Sequence, residues 1–278
     1  MLNADLAGKT YPAATYRVTA EAIHKYAAAT NDASPAVTSQ DPVAPPAFPC
    51  VLGIDQLNQV MYDPDLNVDM PMLVHARQEH LLYLPIKAGD VLQAATVLED
   101  VDLADTGHTF TVAISLINQD AEVAAEARSV MFIRRTGSVK APPAPAELGE
   151  PVFEAGEEVA EDQAARYGDA SGDHNPIHLD PAAARNAGFP NVVLHGMCTM
   201  AFAAKALVEN LAEGDPARIR RIKVEFARPV FPGQRLVTKA WPVDDSASGG
   251  IDAYGFETVN SRGSAVLKGG RVDIVHLR

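Results

Sequence analysis

Cysteine is almost absent from this chain: its 278 residues include two, Cys50 and Cys198. Two thiols so far apart build neither a disulfide framework nor a four-ligand zinc site, and a reducing cytoplasm is the setting they fit. Positive charge is scarce too. Lys and Arg number 23 against 36 Asp and Glu, a net charge of −13. That balance excludes a protein that spreads over nucleic acid or anionic lipid, so an anionic ligand must find a local basic patch. Long apolar runs are missing as well. The stretch 186–204 has no Asp, Glu, Lys or Arg, yet it contains Gly188, Pro190, Asn191, His195 and Gly196, and Lys205 follows it. It reads as a buried core helix beginning near His195, not as a membrane span. The N-terminal MLNADLAGKTYPAATY has no basic region leading into an apolar core, so no signal peptide and a soluble protein are expected.

What remains is ordinary globular composition, 47% hydrophobic and 21% charged, enough for one large domain or two modest ones. A linker is expected at 136–151, TGSVKAPPAPAELGEP, where Pro142, Pro143, Pro145 and Pro151 interrupt any periodicity. It leaves halves of 1–135 and 152–278. These halves look like copies. KYAAATNDASPAV from Lys25 aligns with RYGDASGDHNPIH from Arg166 at an offset of 141, pairing Tyr26 with Tyr167, Asp32 with Asp173 and Pro35 with Pro176. LLYLPIKAGDVL from Leu81 aligns with EFARPVFPGQRL from Glu225 at 144, pairing Pro85 with Pro229 and Gly89 with Gly233. Two matched blocks in one order argue for duplication and divergence.

Each half begins with a helix-like run, Thr19–Ala29 (Thr19 as N-cap) and Glu161–Ala170, and continues to an apolar helix, Cys50–Met61 and His195–Leu211. Strand patterns follow at Asp90–Val101, His108–Asn118, Gln234–Trp241 and Ala265–His276, and Ile222, Val224 and Phe226 alternate with charged residues. An all-apolar helix needs partners on every side, so the expected fold class is α+β, an antiparallel sheet wrapped around one buried helix per half.

Chemistry concentrates in YGDASGDHNPIHLDPAAARNAGFPNVVLHGMCTM, residues 167–200. Pro176 drives Asn175 out of the helical region and Gly172 permits a sharp exit, so Asp173 and His178 share one compact loop. Such a carboxylate and imidazole form an acid/base pair. Asp180 caps a short helix with Pro181 at its first position, and Gly188 ends it. Gly196 opens the buried helix, where free N–H groups can stabilise an oxyanion. The same residues have plainer readings. Asp and Asn-Pro are common in turns, His195 can simply pack beside its helix, and Asp173, His178 and His195 together resemble a sparse metal site. His24, His75, His80, His108 and His276 are assigned no role.

The run S-G-D-H-N-P-I-H-L-D-P, followed seventeen residues after His178 by H-G-M, resembles the MaoC-like (R)-specific enoyl-CoA hydratases. The first half resembles the degenerate N-terminal repeat of their two-repeat members, among them the 3-hydroxyacyl-thioester dehydratases. The resemblance implies a double hotdog fold and reversible syn addition of water to a trans-2-enoyl thioester, yielding the (R)-3-hydroxyacyl form. By position it gives Asp173 and His178 the water, Asn175 the orientation of the loop, and the Gly196 N–H the thioester oxygen. It implies no metal and no redox cofactor; coenzyme A or phosphopantetheine enters as part of the substrate. Ala204 stands where some relatives carry a serine, and the first half keeps Asp32 but has Val37 in place of the histidine and Ala47–Pro49 near the H-G-M position. That half is therefore expected to be non-catalytic and to enclose the acyl chain, using space beside the broken run Pro42–Pro49.

Arg218, Arg220, Arg221, Lys223 and Arg228 form the one basic cluster, expected to meet the phosphates of coenzyme A or the acidic surface of acyl carrier protein, although ordinary strand-face charge accounts for it equally well. A non-catalytic thioester-binding scaffold would have lost the Asp–His pair, as the first half has. A hotdog thioesterase would carry an acidic residue on the buried helix, and 196–205 has none. The two-repeat chain acts as a monomer or a homodimer.

Overall fold

The computed structural model describes residues 1–105, 107–134, 149–243 and 250–276. In the first half, strand β1 (Thr10–Arg17) leads to helices α1 (Ala20–Ala29), α2 (Pro35–Thr38) and α3 (Pro49–Met61), then to strands β2 (Leu73–Leu82), β3 (Val91–Ala104), β4 (Gly107–Ile117) and β5 (Val123–Arg134). The second half repeats this order with β6 (Phe153–Glu158), α4 (Gln163–Ser171), α5 (Pro181–Asn186), α6 (Gly196–Leu211), β7 (Ile219–Phe226), β8 (Arg235–Pro242), β9 (Ile251–Asn260) and β10 (Ala265–Val275). The ten strands make one antiparallel sheet in the order β1-β3-β4-β5-β2-β7-β10-β9-β8-β6. Read outward from the β2–β7 seam, the two halves are the same.

The seam fixes the relation between them. Arg77 pairs with Glu225 and Leu81 with Arg221, so Glu79 faces Lys223. Glu79 and Lys223 are also related by the repeat offset of 144, which places this pair on the pseudo-two-fold axis. The duplication read from Pro85/Pro229 and Gly89/Gly233 is thus a structural symmetry, and the architecture is a double hotdog.

Helix α3 packs on β1, β3, β4 and β5, and α6 on β6, β7, β8 and β10. Ten of the α6 residues are buried, Met200, Phe202 and Leu207 among them, and burying each such large apolar side chain stabilises the fold by roughly 1.5–3 kcal/mol. Helices α1 and α4 join the halves. The repeat-related Tyr26 and Tyr167, both fully buried, meet there with ring centroids 5.8 Å apart. Thr19 caps α1 by accepting from the Ala22 N–H, as its sequence position suggested.

The expected linker at 136–151 lies outside the described residues except for its last three. The run Pro42–Pro46 forms no helix, which follows from three prolines that lack N–H groups. Its sequel folds inward, with Ala47 and Phe48 completely buried. The groove left between this run, Leu82–Ile86 and Pro216–Arg220 has a volume of about 20 Å³, close to the room of a single water. Among the described residues no helix is long and apolar enough to cross a membrane.

Candidate active site

Helix α4 ends at Gly172, whose φ of +79° is a left-handed conformation that glycine adopts without steric cost. The chain then turns on its own side chains. Asp173 Oδ1 accepts from the Asn175 N–H at 3.1 Å, and Asn175 Oδ1 accepts from the Ile177 N–H at 3.3 Å. Asn175 is extended, as Pro176 requires, and a 3-10 turn over Pro176–His178 lifts His178 back toward Asp173. Asp180 caps α5 through the Ala182 N–H at 2.8 Å, closing the loop from behind.

Two backbone carbonyls set the imidazoles. His178 Nδ1 donates to Val193 O at 2.6 Å, leaving Nε2 as the basic nitrogen. His195, the N-cap residue of α6, makes no capping bond with its side chain. Its Nε2 instead donates to the carbonyl of Asp173 at 3.0 Å, and its ring stacks on His178 with centroids 3.8 Å apart. Tyr167 closes the other side of His195 at 4.9 Å. His195 is thus a positioning residue that holds both the Asp173 backbone and the His178 ring.

The resulting cluster is tight. One ligand atom from each of Asp173, His178 and His195 lies within 4.8 Å of the others, a space that suits a water or, by its donor set, a metal ion. Burial lowers the pKa of His178 below the usual histidine value, while the Asp173 charge holds it up. Burial, and then the neighbouring His178, push His195 down to about 4. Both rings are neutral at pH 7, so His178 is present in the form that accepts a proton.

Helix α6 supplies the counter-group. Cys198 N and Thr199 N both bond to His195 O, and the Gly196 N–H ahead of them has no turn of helix to donate to. A Cβ at residue 196 would lie 3.0 Å from the Phe226 ring, so glycine is what lets the helix start and that ring of β7 pack this closely.

The basic residues do not form one patch. Arg218 is buried, paired with Glu213 at 2.9 Å and bonded to Val275 O. Arg221 is bonded to Glu79 across the seam at 2.6 Å. Arg220 reaches the Ala217 carbonyl at 2.6 Å. Lys223 alternates with buried Ile222 and Val224 and so faces away from α6. Arg228 is exposed, two residues beyond Phe226, and touches Ala265 O. Arg218 and Arg221 are thus committed to Glu213 and Glu79, and Arg221 and Lys223 share the face of β7 turned away from α6.

In the first half Asp32 makes the corresponding turn, accepting from the Ser34 N–H at 3.0 Å, but its partner position is the buried Val37. Sequence reasoning left His75 without a role. The structure places it beside Phe226, ring centroids 4.8 Å apart, and within the field of the Asp173 carboxylate.

The chain matches two family descriptions, a MaoC like domain over residues 144–258 and a FAS1-like dehydratase domain region over 5–127. It is 30% identical over 217 residues to the peroxisomal enoyl-CoA hydratase 2 of Arabidopsis thaliana, covering 70% of this chain and 68% of that protein. To 3-hydroxyacyl-thioester dehydratase Y of Mycobacterium tuberculosis it is 33% identical over 216 residues, 73% of each chain. The crystal structure of a MaoC-like dehydratase from Phytophthora capsici superposes with a TM-score of 0.80 at 26% identity, covering 99% of this chain and 98% of that one. On these matches this chain belongs to the MaoC-like family of enoyl-CoA hydratases and 3-hydroxyacyl-thioester dehydratases.

Proposed function

We propose that this protein is a hydro-lyase that adds water reversibly to trans-2-enoyl thioesters of fatty acid metabolism, giving (R)-3-hydroxyacyl thioesters. The observation that carries this reading is the convergence of Asp173 and the free Nε2 of His178 on a water-sized space at the start of α6. A water held there loses a proton to the pair as its oxygen bonds to Cβ. The π electrons move toward the thioester oxygen, which the Gly196 N–H stabilises as charge develops. The pair then returns a proton to Cα on the same face. Asn175 keeps the loop in shape, and the chemistry uses no redox cofactor and no metal. A thioesterase is disfavoured because the residues of α6 that face the cleft carry no acid.

The substrate is an acyl-CoA or the phosphopantetheine arm of acyl carrier protein. Of the basic residues Arg228 is best placed for carrier phosphates, being exposed and next to Phe226. The N-terminal half serves as the wall for the acyl tail. Two free cysteines fit a reducing compartment such as the cytoplasm, with the chain acting as a two-repeat monomer or a homodimer. The test follows the conjugated enoyl absorbance of crotonyl-CoA and a longer enoyl-CoA, with chirality of the product. Loss of absorbance giving the (R)-alcohol is expected; free thiol release without hydration would replace this reading with hydrolysis.

A further inference from the structure

The pseudo-symmetry allows the two clefts to be compared position by position. Phe226 in the live cleft corresponds to Leu82 at the offset of 144, and His75 corresponds to Ile219. Both strands carry the same irregularity. In β2 the pairing with β5 jumps between His75 and Arg77, and in β7 the pairing with β10 jumps between Ile219 and Arg221. Each bulge turns the residue before it onto the inner face: His75 lies opposite buried Met131, and Ile219 opposite buried Ile274. The backbone is the same and the chemistry is not.

Around the dead half, Ile219, Leu82, Pro49, Pro45 and Pro46 line a largely apolar groove that Arg220 also borders, with isoleucine at the position of His75. Around the live half the matching wall holds an imidazole. Gln78 and the Arg77 backbone support the His75 ring, but its Nε2 is sealed from solvent without a partner, as is one nitrogen each of His80, His108 and His195. Burial holds its pKa near 4, so the ring is neutral and can give or accept a hydrogen bond without a charge. The Phe226 ring beside it also lies against Gly196, so His75 and the start of α6 share one neighbour.

We infer that His75, contributed by the N-terminal half, is a substrate-binding residue of the C-terminal site and that its Nε2 hydrogen-bonds the first amide of the pantetheine-type arm. This rests on the hydration reading above. With the thioester carbonyl at Gly196, substrate and His75 both border the Phe226 ring. The next polar group along the substrate is the amide, two methylenes beyond the sulfur. A contact there is remote from the reacting carbons, so it acts on KM and leaves kcat alone. It also explains why a duplicated chain would keep a polar group in a position that packs well as isoleucine in its copy.

The experiment compares two crotonyl thioesters, one of N-acetylcysteamine and one of pentanethiol, which matches its length but lacks the amide. His75→Ile copies the other half. It should raise KM for the amide-bearing ester about fivefold to tenfold, the size of one neutral hydrogen bond, with kcat unchanged and no effect on the pentyl ester. Its Tm should equal or exceed that of the parent, since an unpartnered buried nitrogen has been removed. His75→Gln should recover part of the KM. An equal loss with both esters, no loss with either, or a lowered Tm would each overturn the assignment. If the parent protein hydrates neither ester, the hydration reading fails instead. Calorimetric binding of the saturated butyryl N-acetylcysteamine thioester to parent and variant then decides the role of His75, equal affinity overturning it.

Discussion

The carbonyl of Val193 receives the Nδ1 proton of His178 at 2.6 Å, and this one bond decides which imidazole nitrogen faces the substrate. Val193 is itself held by donating its N–H to Ile177 O at 3.1 Å, so the catalytic loop and the strand-like approach to α6 are laced together. Burial depresses the His178 pKa and Asp173 partly restores it. The base is functional when neutral, so kcat/KM should be flat near pH 7 and fall on an acid limb below 6.5. A limb at or above pH 7 would contradict this assignment.

Replacing either member of the pair should be severe. Asp173→Asn and His178→Ala should each cut hydration by about 10²–10⁴ with the fold retained, the range expected for a positioned acid or base. Residual activity of Asp173→Asn should show its acid limb moved to still lower pH, because the charge that raises the His178 pKa is gone. Near-parental turnover in either folded variant would refute the mechanism.

The first half supplies the control. Asp32→Asn keeps the side-chain oxygen that accepts from Ser34, and Val37 offers no partner for proton transfer. Turnover of crotonyl-CoA should stay within about twofold. A large loss in a folded protein would mean that the two repeats have been assigned the wrong way round.

Gly196→Ala separates packing from chemistry. The added Cβ meets Phe226 at 3.0 Å, so the ring must yield at the place where the thioester enters. Helix propensity favours alanine by roughly 0.5–1 kcal/mol, and stability should therefore change little. Hydration should fall at least tenfold, toward the 10²–10³ that one oxyanion donor is worth. Unchanged kcat would move the oxyanion site elsewhere.

Much of this was legible before any coordinates. The offsets of 141 and 144 give the symmetry, and Pro176, Asp180 and Gly172 give the loop. What was hidden had physical causes. Strand β2 lacks hydrophobic alternation because its inner face carries Gln78, which accepts from Ser129, and His80, whose Nδ1 donates to the Pro46 carbonyl. Strands β1 and β6 are sheet edges, TYPAATYR with a proline and FEAGEE with three acids, as edges often are. Strand β5 buries Ala125, Ala127 and Ser129 before it reaches Met131 and Ile133, so small residues mask its inward face over most of its length. His75 was overlooked as a lone histidine, though the break it makes with Ile219 in the repeat was available as a signal.

Acid should destabilise the protein in a defined window. Burial lowers His75, His80 and His195 to about 4 each, against 6.5 when unfolded. The unfolded chain therefore binds protons first as pH falls. Stability from these groups is complete above 6.5, is lost progressively between 6.5 and 4, and changes no further below 4. Urea midpoints should drop across that interval, and His75→Ile should flatten the slope. A midpoint independent of pH there would mean that the three rings are not buried neutral.

Chain length tests the wall formed by the N-terminal half. The run Pro42–Pro46 has no helix to hold it: Val43 N bonds to Ala36 O, Ala44 N to Ile86 O, and the carbonyls of Pro45 and Pro46 accept from Phe48 N and His80. Pro45 and Pro46 have no N–H to add. The groove beside them is about 20 Å³ as it stands, so an acyl tail enters only by parting this run from Leu82–Ile86. Opening a proline-held coil breaks fewer hydrogen bonds than unwinding a helix such as α5, which occupies the matching place in the other half. Each methylene buried there is worth roughly 0.8 kcal/mol, close to fourfold in affinity, and it acts far from the reacting carbons. Enoyl-CoA substrates of about eight carbons or more should therefore show higher kcat/KM than crotonyl-CoA, through KM rather than kcat. Crotonyl-CoA performing as well as a C8 to C12 substrate would leave the N-terminal half a structural partner that takes no part in holding the tail.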